Sequence, residues 1–171
     1  MRILLYPDPE LRRAAEFVAR IDNELRHVVR DMFALMYEAR GVGLAATQVG
    51  LPLRLFIMNV TGEPEDETVV LNPQLVEEEG EQVAEEGCLS LPGVAGNIRR
   101  PGAVQVRGYS LECDEVDYRF EDLGARVVSH ELDHLDGRLI IDRMGPAARL
   151  DSQARLRELE ESYGASATSG P

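Results

Sequence analysis

His130-Glu131-Leu132-Asp133-His134 holds the residues of this chain best suited to chemistry. On a helix, side chains four apart lie one above the other on the same face, so His130 and His134 can aim two imidazoles at one metal ion. Glu131 lies about 100° round the helix from His130. It can reach a water at that metal without being a ligand. Two ligands with a general base between them make a metallohydrolase signature. Leu123, Val127, His130 and His134 are spaced i, i+4, i+7 and i+11, so the histidines extend an apolar stripe expected to face the core. The plainer alternative, two packed core histidines, leaves the intervening Glu unexplained.

A catalytic site of this kind needs three protein ligands and one open position. The metzincin extension H-E-x-x-H-x-x-G-x-x-H fails here, because Gly137 is in place but Ile140 stands where the third His belongs. A thermolysin-like site would take a later Glu. Glu158, Glu160 and Glu161 read instead as the solvated face of a last helix. The other donor is upstream, in Glu86-Gly87-Cys88-Leu89-Ser90-Leu91-Pro92. A thiolate with two imidazoles gives a Cys-His-His site with an open fourth position, and Gly87 allows close backbone approach. The alternative for a lone cysteine is a small buried hydrophobe. That reading suits Cys113, or else a half-exposed strand residue within 110–117. With two cysteines in a chain of cytosolic character, free thiols are expected rather than a disulfide. A third segment, Gly41-Val42-Gly43-Leu44-Ala45-Ala46-Thr47-Gln48-Val49-Gly50, is too small-chained to build much core. Its backbone can approach a ligand, and Gln48 can donate an amide hydrogen bond to a developing oxyanion. A tight turn before a strand is the alternative.

Taken together these segments resemble the peptide deformylase family, whose marks are a GxGxAAxQ loop, an EGCLS segment and a HExDH helix in that order. The chain reads Gly41 to Gln48, Glu86 to Ser90 and His130 to His134 to match, and the resemblance covers residues 1 to about 145. It implies that Cys88, His130 and His134 bind one divalent metal and that Glu131 is the acid/base residue. It implies that Gln48 and the Leu89 backbone N–H hold the oxyanion. Val42, Gly43, Glu86, Leu123 and Val127, with His130 and Leu89, would line the substrate cleft, with Ala84 and Arg126 as lesser contributors. The implied reaction removes the formyl group from the N-terminal N-formylmethionine of newly made polypeptides and releases formate. The resemblance points to Fe²⁺ as the ion in the cell, while the donor set also suits Zn²⁺, Ni²⁺ or Co²⁺. Asp133 and Ser129 are expected partners for the ligating imidazoles, Asp133 alternatively a solvated charge. Some family members carry an Arg soon after EGCLS. Here Gly93-Val94-Ala95-Gly96-Asn97 follows, and the nearest arginines are Arg99 and Arg100.

Two rival readings make different predictions. A zincin-like metallopeptidase would keep its metal in Cys88→Ser and cut unformylated peptides internally. A structural metal module would fill the fourth position with a protein ligand, and no convincing fourth candidate stands out.

The elements that must position these residues follow from pattern. Leu25, Val29, Met32 and Met36 mark a helix over 22–40 with Asp22 as N-cap. His27 lies off that stripe and is expected to be exposed. Strands are expected at 53–60, 68–72, 74–79, 103–108 and 115–120. The motif helix should run over 121–136 and stop at Gly137. Leu150, Leu156, Leu159 and Tyr163 mark a last helix, and 164–171 reads as a disordered tail. The fold class is α+β, a mostly antiparallel sheet around a central helix carrying the HExxH motif. One catalytic domain, 1–163, is expected from the length.

Composition bounds the rest. Net charge is −13, with 18 basic against 31 acidic residues, so direct nucleic-acid binding is not expected. Glu77-Glu78-Glu79-Gly80-Glu81 and Glu85 read as solvated. No apolar run reaches the ~20 residues of a membrane span, and Pro7 interrupts the N-terminus too early for a signal peptide. The expectation is a cytoplasmic monomer, with N-formylmethionyl nascent peptides as partners and at most transient ribosome contact.

Overall fold

The computed structural model describes the backbone of residues 1–168 and the side chains of residues 1–165. The first helix, α1 (Asn23–Glu38), starts as its sequence predicts: the Asp22 carboxylate accepts the Leu25 N–H at 3.0 Å. Its stripe of Leu25, Val29, Met32 and Met36 is buried, and His27 is exposed. Seven strands follow: β1 (Gly43–Ala45), β2 (Leu55–Met58), β3 (Thr68–Glu79), β4 (Gln82–Gly87), β5 (Ala95–Arg100), β6 (Ala103–Tyr109) and β7 (Glu115–Glu121). Five form one antiparallel sheet in the order β1-β2-β3-β6-β7, and β4 pairs with β5 in a separate hairpin. The fold is thus a mixture of helices and antiparallel sheet.

Side chains alternate across a strand. In β2, Leu55 and Ile57 join α1 in one core cluster, while Phe56 and Met58 join a second cluster with Val70, Val104 and Val106. That second cluster is completed by Ala125, Val128, Leu132 and Leu135 of α2 (Asp122–Leu135), the helix that carries His130 to His134. The sheet is therefore covered by α1 on one face and α2 on the other. Gly137 ends α2 at φ +71, where a side chain would overlap the Arg12 carbonyl. A third cluster joins Leu91, Val94 and Ile98 to Ile140, Ile141 and Leu159, tying the β4–β5 hairpin to the C-terminal helices.

Several expectations need correction. The strands expected at 68–72 and 74–79 are one strand, β3, irregular between Leu71 and Gln74. Asn72 sits there at φ +51, and its side chain accepts the Val18 N–H (2.8 Å) and donates to the Val18 carbonyl (3.0 Å). The kink that Asn-Pro announces is thereby stabilised without breaking the strand. The expected last helix is two, α4 (Pro146–Asp151) and α5 (Gln153–Thr168), and a short helix that was not expected, α3 (Ile140–Arg143), precedes them. Helix α5 continues past Gly164 to Thr168, because one Gly costs a helix only about 1 kcal/mol and Ala-rich sequence follows it. Helical backbone thus runs on over residues 164–168 of the span 164–171, and 169–171 lie outside the described residues. Cys113 is neither buried nor in a strand. It is exposed in the turn between β6 and β7, and both cysteines are free.

Candidate active site

Three elements converge. Helix α2 brings His130, Glu131 and His134. The turn after β4 brings Cys88 and Leu89. The segment from Gly41 to Gln48, expected as a ligand-approaching loop or a tight turn, forms strand β1 and a 3₁₀ turn at Ala46–Val49. Its small residues are required by contact: a Cβ on Gly43 would stand 2.5 Å from Glu131 Oε1 and 2.7 Å from Val127 Cγ1. The strand backbone thus lies directly against the face of α2 that carries Val127 and Glu131.

The Sγ of Cys88 and one ring nitrogen from each of His130 and His134 lie within 4.8 Å of one another. Cys88 Sγ is 3.2 Å from His134 Nε2, and His134 Nε2 is 3.2 Å from His130 Nε2. A tetrahedral ion bound at about 2.0–2.1 Å by nitrogen and about 2.3 Å by sulfur would separate its ligands by about 3.3–3.6 Å. The donor set and its spacing therefore fit a single small divalent ion. Burial pushes His134 well below its usual value, toward the neutral form a ligand needs. Burial acts the same way on His130, but hydrogen bonds with Cys88 and Glu86 outweigh it and raise that ring.

Glu131 is 3% exposed and its Oε2 has no hydrogen-bond partner among the described residues. Burial pushes its carboxyl up to about 7, against the lowering pull of the His130 charge. A carboxyl poised near neutrality can take a proton and return it. Gln48 is fixed at its far side, where Oε1 accepts the Ala45 N–H at 2.9 Å. Its Nε2 donates to Ser90 Oγ at 3.1 Å and turns toward Cys88 Sγ at 3.7 Å. One amide proton is thus held by Ser90 while the group faces the thiol.

Glu86 is the partner of His130, accepting from Nδ1 at 3.1 Å. That bond leaves Nε2 to face the other ligands. Glu86 is clamped in turn. Arg100 donates through Nε and Nη2 to its two oxygens, each at 3.0 Å, and Arg126 Nη1 donates at 2.6 Å. Arg100 Nη1 also reaches Asp133 Oδ2 at 2.6 Å, and Arg143 Nε donates to the same oxygen at 3.0 Å. Burial pushes the Glu86 carboxyl up, but the His130 and Arg100 hydrogen bonds outweigh it and bring it to about 2.

The expected imidazole partners are thereby corrected. Asp133 is buried, so it is not a solvated charge, but its oxygens go to arginines. Ser129 Oγ donates to the Ala125 carbonyl at 2.7 Å. Sequence reading missed Arg100 and Ser90. An Arg two residues beyond an isoleucine in a Gly- and Asn-rich stretch carries no local sign that it will be buried.

A cleft of about 550 Å³ opens over these groups. Val42, Gly43, Glu86, Leu123, Val127, His130 and Leu89 all line it, as do Gln48, Cys88, Glu131, Leu91 and Val94. Arg126 lines it as well, although its guanidinium is committed to Glu86 and to the Ile98 carbonyl. Ala84 does not line it and meets the site only through its carbonyl, 3.4 Å from Arg126. Leu123 is 51% exposed, which corrects its place in the core-facing stripe. It lies in the first turn of α2, at the cleft rim. The late glutamates lie elsewhere: Glu158 pairs with Arg155, and Glu160 accepts the Tyr6 hydroxyl at 2.7 Å.

Comparison with known proteins agrees with this geometry. The family model for polypeptide deformylase matches residues 1–150. Peptide deformylase of Rhodopirellula baltica is 41% identical over 165 residues, covering 95% of this chain and 82% of its own. That of Syntrophobacter fumaroxidans is 44% identical over 149 residues, covering 86% and 88%. Among solved structures, peptide deformylase from Plasmodium falciparum superposes with a TM-score of 0.93 at 37% identity, covering 96% of this chain and 98% of that one. The Thermotoga maritima enzyme gives 0.81 at 40% identity, covering 85% and 97%. The chain belongs to the peptide deformylase family.

Proposed function

We propose that Cys88, His130 and His134 hold one divalent ion, and that around it Glu131, Gln48 and Leu89 remove the formyl group from N-formylmethionyl nascent peptides. The observation that carries this reading is the meeting of a thiol and two imidazole nitrogens beside a buried carboxylate whose Oε2 has no hydrogen-bond partner among the described residues, at the floor of a peptide-sized cleft. A divalent ion there supplies a polarised water as nucleophile and positive charge for the oxygen of the formyl group.

The chain's own residues do the rest. Glu131 accepts the proton of the attacking water and passes it to the leaving α-amine, for which a carboxyl near neutrality is suited. Gln48 Nε2 donates to the formyl oxygen, preorganised by Ala45 and Ser90. The Leu89 N–H is the second donor. It donates to no other backbone group among the described residues. The methionine side chain packs among Val42, Glu86, Leu123, Val127 and His130, with Gly43 and Leu89 along the peptide. Helix α2, placed between the sheet and the β4–β5 hairpin, acts as the central helix on which this site is built.

We take Fe²⁺ as the ion in the cell because the family resemblance points to it, the thiolate and two imidazoles by themselves suiting Zn²⁺, Ni²⁺ or Co²⁺ as well. The chain acts as a cytoplasmic monomer whose ribosome contact is transient, in keeping with its net charge of −13. Tight, salt-resistant cosedimentation with ribosomes would contradict that. No helix among the described residues is long and apolar enough to cross a membrane. The test is release of formate and a free amine from a formyl-Met tripeptide by anaerobically prepared, metal-loaded protein. Internal cleavage of unformylated peptides would favour a zincin-like peptidase instead.

A further inference from the structure

Helix α1 ends in a left-handed turn. The Gly41 N–H donates to the Met36 carbonyl at 2.8 Å and the Arg40 N–H to the Tyr37 carbonyl at 2.9 Å. The residue in the left-handed conformation is Arg40, at φ +58, and glycine is the residue such a position favours. An arginine here is therefore an outlier that the turn itself does not ask for. Its side chain is exposed and lines the same cleft as Cys88, His130 and Glu131. Its guanidinium makes no hydrogen bond or ion pair among the described residues. By contrast, Arg126, the cleft's other arginine, is locked on Glu86. An unpaired cation at this place stands out in a chain of net charge −13.

The cleft's walls divide by depth. Gln48, Glu86, Leu91, Val127 and Glu131 are buried, whereas Arg40, Val42, Glu85 and Leu123 form an exposed rim. A formyl carbonyl must sit at the buried end, with Glu131 and Gln48. The peptide beyond the methionine then leaves across the rim. We infer that Arg40 is a specificity residue that favours formylated peptides bearing an acidic side chain shortly after the methionine. This rests on the deformylase reading above. Glu85 lines the rim from β4 with the opposite charge, so the preference belongs to the Arg40 wall and is read as a ratio between peptides.

The experiment compares formyl-Met-Ala-Glu, formyl-Met-Ala-Gln and formyl-Met-Glu-Ala as substrates of metal-loaded wild type, Arg40→Gly and Arg40→Gln, at low and high salt. Exposed ion pairs are modest, so either variant should lower the Glu-to-Gln ratio of kcat/KM about 2- to 5-fold, through KM, and high salt should erase the difference. Arg40→Gly should also raise the thermal midpoint by about 2–4 °C, because glycine relieves the left-handed turn. Equal ratios in wild type and both variants would overturn the role of Arg40 while leaving the deformylase reading intact. So would a midpoint that falls in Arg40→Gly, since the side chain would then serve the fold. Wild type that deformylates none of the peptides would overturn the deformylase reading, and the inference with it.

Discussion

Replacing Arg100 by Met should loosen both the fold and the metal site. The side chains of Arg100, Glu86 and Asp133 are 4%, 5% and 6% exposed, so their charges have little water to fall back on. Removing one partner of a buried ion pair costs about 3–5 kcal/mol. Glu86 keeps Arg126 and His130, and Asp133 keeps Arg143, so the lower end applies, about 3 kcal/mol. With a urea slope of about 2–3 kcal/mol/M, that is a midpoint roughly 1–1.5 M lower in metal-free protein. Glu86 would also lose the two-pronged grip that sets its angle toward His130 Nδ1. Losing such an orienting partner weakens metal affinity about 10- to 100-fold. Chelator competition with Zn²⁺ or Co²⁺ measures that separately from unfolding. Asn72→Ala is the control: it breaks two buried hydrogen bonds to Val18, in the α1 cluster, and should destabilise by about 1–3 kcal/mol with affinity unchanged. Arg100→Lys keeps the charge but not the fork, so it should restore only part of the affinity. An Arg100→Met protein with wild-type midpoint and wild-type affinity would mean that Arg100 holds neither Glu86 nor the metal site in place.

Other predictions follow from the same geometry. Gln48→Ala should lower kcat about 10²–10³-fold with metal content unchanged, and full activity would remove Gln48 from the oxyanion site. Glu131→Gln should bind metal with wild-type stoichiometry yet lose turnover, whereas loss of metal by elemental analysis would make Glu131 a ligand. The low Glu86 pKa, about 2 against an ordinary 4.5, contributes stability that is complete above about pH 4.5 and lost as pH falls toward 2. Equilibrium unfolding of metal-free protein across that window should show about 3 kcal/mol more acid sensitivity in wild type than in Glu86→Gln, and parallel pH profiles would count against the clamp.

What could be read in the sequence was what local pattern determines. The His130–His134 spacing fixes a shared helix face wherever that helix sits, and Asp22 caps α1 by a contact only three residues long. Cys88 needed more: nothing in its own segment shows that it meets α2, and only the joint order of three motifs did so. The β4–β5 hairpin escaped because Ala95–Arg100 lacks apolar alternation and is held by cluster contacts with Ile140, Ile141 and Leu159. Arg100 escaped with it. A buried charge is specified by partners 14 and 33 residues away, which no window of sequence contains. Asp133 shows the same limit in reverse. Its place in the motif made it look like a partner for the imidazoles, whereas the arginines of β5 and α3 claim its oxygens.

X-ray absorption on the zinc-loaded protein shows which atoms hold the ion. One metal per chain is expected, with a single sulfur scatterer at about 2.3 Å and two imidazole nitrogens at about 2.0–2.1 Å, the sulfur lost in Cys88→Ser. A site with nitrogen and oxygen scatterers only, unchanged by Cys88→Ser, would contradict the Cys88, His130 and His134 site.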